Sequence, residues 1–163
     1  MSDRSLKSYA FFANLRADQQ AQLESLFHAG QKPAESVLFE QGDRADCIYI
    51  LVEGEVHIHY KPEDGPPLVV ARVRPESVVG WSAALGNPNY TSAAICAEDS
   101  TLLCVRGSDL RALCERDPEL GEIILIRLAG MIAERLRNTH NHVIALLQEG
   151  LGIQLNQKVP VET

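Results

Sequence analysis

A mainly β fold with flanking helices is what this 163-residue sequence predicts, on three observations. Between about residues 33 and 107, short apolar or alternating runs are separated by Gly, Asp and Pro, without helical patterns between them. Strand–turn units at that spacing suggest a sandwich or a barrel. Before and after this region, apolar residues recur at helical intervals instead. After Pro118 the chain runs to about Glu149 without another proline, long enough for one extended helix.

In order along the chain, "LRADQQAQLESLFHAG" places Leu15, Leu23, Leu26 and Phe27 on one helical face. Asp18 stands near its start, Gly30 is its expected stop, and His28 is expected on its surface. The strand region follows with "SVLFE", "CIYILVEGEVHIHY", "PLVVARV" and "TSAAICAEDSTLLCV". Gly42-Asp43 and Glu53-Gly54 fit tight turns, where glycine reaches positive φ without strain. Asp46, just ahead of a strand, is expected to bind turn amides. Helix resumes with Ser108 as the expected cap of "DLRALCERD". Asp117-Pro118 then supplies an N-cap and a proline at the first helical position.

That last helix would be about 48 Å long at 1.5 Å per residue. Leu125, Ala129, Ile132, Leu136, Thr139, Val143 and Leu146 recur along it at alternating four- and three-residue steps. Such a heptad seam suggests pairing with a second copy of the chain. The alternative is a helix lying along its own barrel, as the apolar turns "EIILIRL" would do. One domain over 1–149 and a short tail over 150–163 is the expected organisation.

Composition excludes several classes. No apolar run approaches the roughly 20 residues of a membrane span. The N-terminus has no apolar stretch behind a basic start, so a cytoplasmic chain with no membrane partner is expected. Cys47, Cys96, Cys104 and Cys114 form no CxxC pair and are expected as reduced thiols, without an iron–sulfur cluster. The net charge is −7 with no basic stripe, so direct DNA binding is not expected.

"FEQGDRADCIYILVEGEV" resembles the cyclic nucleotide-binding domain of the Crp/Fnr type, through Phe39, Gly42, Asp43, Asp46, Ile48, Tyr49, Ile50, Gly54 and Val56. "AEDSTLLCV" continues the pattern, and "ERLRNTH" resembles the long dimer helix of catabolite activator proteins. The resemblance runs over about residues 11–147. It implies a double-stranded β-helix, a jelly-roll-like β-roll, with N-terminal helices and a long C-terminal dimerisation helix. It also implies a cyclic nucleotide bound by a cassette of glycine, glutamate, small residues, then arginine and a hydroxyl residue.

Carried over by position, Gly80 matches the glycine, but Trp81 stands at the glutamate that would hold the ribose. Ser82, Ala83 and Ala84 match the short turn whose amides face the phosphate. Thr91 stands at the arginine, followed by Ser92 as the hydroxyl partner. From Val78 to Ile95 there is no charge at all. A charge-assisted contact contributes about 1.5–3 kcal/mol, so losing two weakens nucleotide binding by roughly two to four powers of ten. Thr139 and His140 match the helix positions that reach the purine in activator relatives.

The expected function is therefore a non-enzymatic regulatory sensor for a small, neutral or weakly anionic ligand, with no cofactor. One alternative is a true cyclic AMP or cyclic GMP receptor using backbone amides, Ser82, Thr91 and Ser92. An alternative of another class is a cupin-like metal enzyme, because His57, His59 and Glu63 have the H-x-H-x3-E spacing. No second histidine motif follows, and two solvent-facing histidines on an edge strand are the plainer reading. Only "GLGIQLNQKVPVET" follows the long helix, too short for a helix-turn-helix domain. Output is then expected through the homodimer helix or through a separate effector protein.

Overall fold

The computed structural model describes residues 9–153. Its elements are α1 (Ala17–Glu24), β1 (His28–Lys32), β2 (Val37–Phe39), β3 (Cys47–Glu53), β4 (Val56–Tyr60), β5 (Leu68–Val73) and β6 (Val78–Val79). Then come α2 (Ser82–Leu85), β7 (Ala93–Cys96), β8 (Ser100–Arg106), α3 (Gly107–Arg116) and α4 (Pro118–Leu151). Two four-stranded antiparallel sheets, ordered β1-β8-β3-β6 and β2-β7-β4-β5, form the expected β-roll.

Period-two alternation builds two cores from one sheet. On β3, Ile48 and Ile50 face the helices, whereas Tyr49 and Leu51 face the second sheet. Val78 and Val79 divide in the same way, as do Leu103 and Leu102. The outer core takes Leu110 and Leu113 from α3 and Leu120, Ile124 and Leu128 from α4. Phe11, Phe12 and Phe27 close it edge to face, with centroids 5.0–5.8 Å apart.

The turns follow from their residues. Gly54 has φ +102°, and a Cβ there would lie 2.3 Å from Ser100 Oγ, so only glycine joins β3 to β4 this tightly. The Gly42-Asp43 turn is fastened by Asp43 Oδ2, which accepts from Glu40 N at 2.8 Å. Asp46 does not do this job, because its carboxylate meets Arg44 Nε at 3.1 Å. Asp117 caps α4 as expected, accepting from Leu120 N at 3.1 Å, with Pro118 behind it.

Three other expectations need correcting. The first helix ends at Glu24, and Gly30 lies inside strand β1 opposite Leu102. Polar "HAGQK" shows no strand alternation; it is strand because it covers the otherwise open edge of β8. His28 is therefore a strand residue opposite Cys104, not a helix residue. Ser108 lies within α3, whose N-cap is Arg106, because Gly107 N donates to Asp46 O at 2.9 Å and fixes an earlier start. β4 is an inner strand, so His57 and His59 are half-buried and not on an edge. From residue 154 on, the expected tail lies outside the described residues.

α4 is held by one face only. Leu120, Ile124, Leu128 and Arg135 are buried against the roll. Ile124→Ala should cost about 2–5 kcal/mol in urea unfolding. Ile126→Ala, at a residue 64% exposed, should stay within about 0.5 kcal/mol of wild type.

Candidate ligand-binding site

Strand β6 is followed by Gly80, whose φ of +81° turns the chain out of the sheet. A Cβ at this glycine would lie 3.0 Å from Cys47 O and 3.2 Å from the Phe39 ring, so the tight contacts and the positive φ together disfavour larger residues. Trp81 is the N-cap of the single helical turn α2, which ends at Gly86 with φ +79°. The loop that follows is fastened to the 42–45 turn. Tyr90 N donates to Asp43 O at 2.8 Å, Gly42 N to Tyr90 O at 2.9 Å, and Ala45 N to Pro88 O at 3.0 Å.

Tyr90 anchors the floor. Its ring stacks on Phe39 at 3.7 Å, and its hydroxyl donates to Cys47 O at 2.6 Å while accepting from Cys47 N at 3.1 Å. Burial, the dominant cause, pushes its phenol up to about 12. Burial also raises the Cys104 thiol to about 12, beside Cys47. All four cysteines are free thiols.

Five of the residues expected at the site meet around one space: Gly80, Trp81, Ser82, Thr91 and Ser92. Three do not line it. Ala83 is buried in the outer core, where its carbonyl accepts from Arg111 Nη1 at 3.0 Å. Thr139 accepts a hydrogen bond on α4, and His140 is exposed. The amides of Ala83 and Ala84 are bonded to the carbonyls of Gly80 and Trp81, so they do not face an anion.

A residue that the sequence reading missed completes the site. Arg135 of α4 lines the same space, with its guanidinium 5.1 Å from the centroid of the Trp81 ring. It is 6% exposed and has no carboxylate partner among the described residues. Nη1 donates to Thr139 Oγ1 at 3.0 Å, while Nε has no partner. Desolvation lowers its pKa to about 10, so it stays charged at neutral pH. The available signal was spacing: Arg135 follows the buried Leu128 by seven residues and precedes Thr139 by four, on the roll-facing side of α4.

Trp81 and Arg135 leave a cavity of only about 50 Å³. Small-molecule pockets run to about 300 Å³ and more, so the space as it stands is too small for a nucleotide. The histidine motif of β4 builds no metal centre. His57 Nε2 lies 3.0 Å from Glu55 Oε1, and among the described residues no three His, Cys, Asp or Glu side chains group to hold a metal. No described helix is long and apolar enough to cross a membrane.

Two antiparallel sheets rolled around a glycine-led cassette, with a long helix behind it, define a nucleotide-cassette β-roll. The chain belongs to the cyclic nucleotide-binding domain family, whose model matches residues 29–117. Among curated relatives, the cAMP-activated global transcriptional regulator of Pasteurella multocida is 26% identical over 117 residues, 71% of this chain and 54% of that protein. The chain spans 27–59% of the length of the first such relatives.

Solved structures agree in fold. A cyclic nucleotide-binding domain from Methylobacillus flagellatus has a TM-score of 0.74 at 17% identity, covering 94% of this chain and 82% of its own. A further one is the regulatory subunit of a cAMP-independent protein kinase A from Trypanosoma brucei. It has a TM-score of 0.62 at 18% identity, over 74% of this chain and 42% of its own. That structure is a triple mutant, one change being threonine to arginine, bound to cAMP.

Tyr90→Phe should cost about 1–3 kcal/mol at neutral pH, because it strips both hydrogen bonds from Cys47. The raised phenol adds a pH dependence. Tyr90 contributes stability that is present below its ordinary value of 10.0 and lost as pH rises toward about 12. Urea unfolding of the variant should therefore lose less stability than wild type between about pH 8 and pH 11.

Proposed function

We propose that the chain is the sensing module of a dimeric, non-enzymatic regulator whose cassette does not hold cyclic AMP or cyclic GMP in the family's usual way. The observation that carries this is the cassette space of only about 50 Å³, lined by Trp81 and Arg135. Trp81 stands where the ribose carboxylate is implied, and Thr91 where the phosphate arginine is implied. A cytoplasmic location belongs to the same reading, supported by the four free thiols.

Calorimetric titration of the wild-type chain should show no saturable binding of either nucleotide below about 100 μM. Trp81→Glu with Thr91→Arg should gain at least about tenfold in affinity. Micromolar binding by the wild type would contradict the proposal.

A second reading has one observation in its favour. Arg135 already lines the cassette with Ser82 and Ser92, so a true nucleotide receptor would take the phosphate from the helix side. In that case Arg135→Met abolishes binding that the wild type shows.

The dimer is supported by the exposed side of α4. Leu125, Leu136, Val143 and Leu146 are 37–67% exposed, and none of them is used by the roll. Ala129 is exposed as well, and Ile132 and Thr139 are half-buried. Sedimentation equilibrium should give a dimer for the wild type and a monomer for Leu136→Glu with Val143→Glu. Signal would leave through this helix pair or through a separate effector protein.

A further inference from the structure

A larger cavity, about 710 Å³, lies on the other side of Arg135, between α4, the 72–77 segment and residues 9–11. It shares only Arg135 with the cassette space. Its volume falls within the range of about 300–1,000 Å³ typical of small-molecule sites.

Charge is concentrated here against the trend of the chain. The net charge is −7, yet four of the fifteen Lys and Arg residues line this one cavity: Arg72, Arg74, Arg127 and Arg135. Two glutamates oppose them, and one of these, Glu134, is already paired with Arg137. Arg72 and Arg74 are exposed and make no ion pair among the described residues. Arg127 holds the Phe11 carbonyl at 2.8 Å. Arg135, buried and with an unpartnered Nε, is a cation without a counter-ion among the described residues. Behind the arginines, Phe11, Ile50, Val73 and Met131 supply an apolar floor.

The helix keeps this space open. Gly130 sits in the middle of α4 and lines the cavity, although a mid-helix glycine costs about 1 kcal/mol relative to alanine. It has neither a positive φ nor a close neighbour to explain it: a Cβ there would meet nothing within 4 Å. His142 Nε2 lies 2.9 Å from Val69 O, tying α4 to β5 at one edge of the cavity.

We infer that this groove is a second ligand site, separate from the cassette, for a small organic anion. The anionic group, a carboxylate, sulfonate or phosphate, is held by the arginines, and its apolar body lies on the Phe11–Met131 floor. The site depends on the groove alone and stands whether or not the cassette takes nucleotide.

The test uses the full chain and 1-anilinonaphthalene-8-sulfonate, an aromatic anion whose fluorescence rises on binding, beside its uncharged analogue N-phenyl-1-naphthylamine. Saturable binding of one anionic probe per chain is expected. Arg72→Ala with Arg74→Ala changes only exposed side chains and should weaken the anionic probe about tenfold, leaving the neutral one within about twofold. Gly130→Phe puts a ring into open space and should abolish binding of both. The inference is overturned if the wild type binds no probe, or binds it only after residues 1–8 are removed, which would make the groove a seat for the chain's own terminus. Equal binding of the anionic probe by wild type and either variant overturns it too, by placing the probe on the apolar seam of α4 or in the cassette.

Discussion

The guanidinium of Arg135 over the Trp81 indole is the contact on which the cassette's state depends. Cation–π attraction contributes about 0.5–2 kcal/mol, depending on how far the pair is desolvated. It offsets only part of what burying an unpaired arginine costs. A carboxylate at position 81 would neutralise this cation; the indole only covers it. The result is a narrow cassette with a retained positive charge in its lining.

The elements around that contact are fixed by close packing and hydrogen bonds. Gly80 turns the chain under Cys47, Tyr90 clamps Cys47 from the other side, and Phe39 stacks beneath. α4 is fixed by the apolar column Leu120, Ile124 and Leu128, which carries Arg135 to its position seven residues later. Trp81 is the element with room to differ, since it is half-buried at the start of a four-residue helix. Because Arg135 lines both the cassette and the larger groove, α4 is the one element in contact with both spaces and with the seam proposed for dimerisation.

Much of the fold was legible because its signals are local. The Gly54 turn, the Asp117-Pro118 helix start and the alternation of "CIYILVE" each need only a few neighbouring residues to be read. Strand β1 was not legible, since "HAGQK" has no pattern and becomes strand only through pairing with β8. Ser108 misled because it is a good cap in isolation, whereas the contact of Gly107 with Asp46 decides where α3 starts. The cassette was legible as a backbone: five of its expected residues do meet. Arg135 was not, because its partner lies 54 positions earlier in the chain and nothing local marks an arginine as buried. Thr139 lies on the predicted seam, and its observed work is to accept a hydrogen bond from that arginine.

Trp81 is the only tryptophan in the chain, so the site carries its own reporter. The most direct measurement is the emission of this indole during titration with cyclic AMP. The narrow cassette predicts no saturable change in intensity or wavelength up to about 100 μM nucleotide, the range in which two lost charge contacts leave binding undetected. A saturable change at micromolar cyclic AMP would show that Trp81 and Arg135 part readily, and would contradict the account.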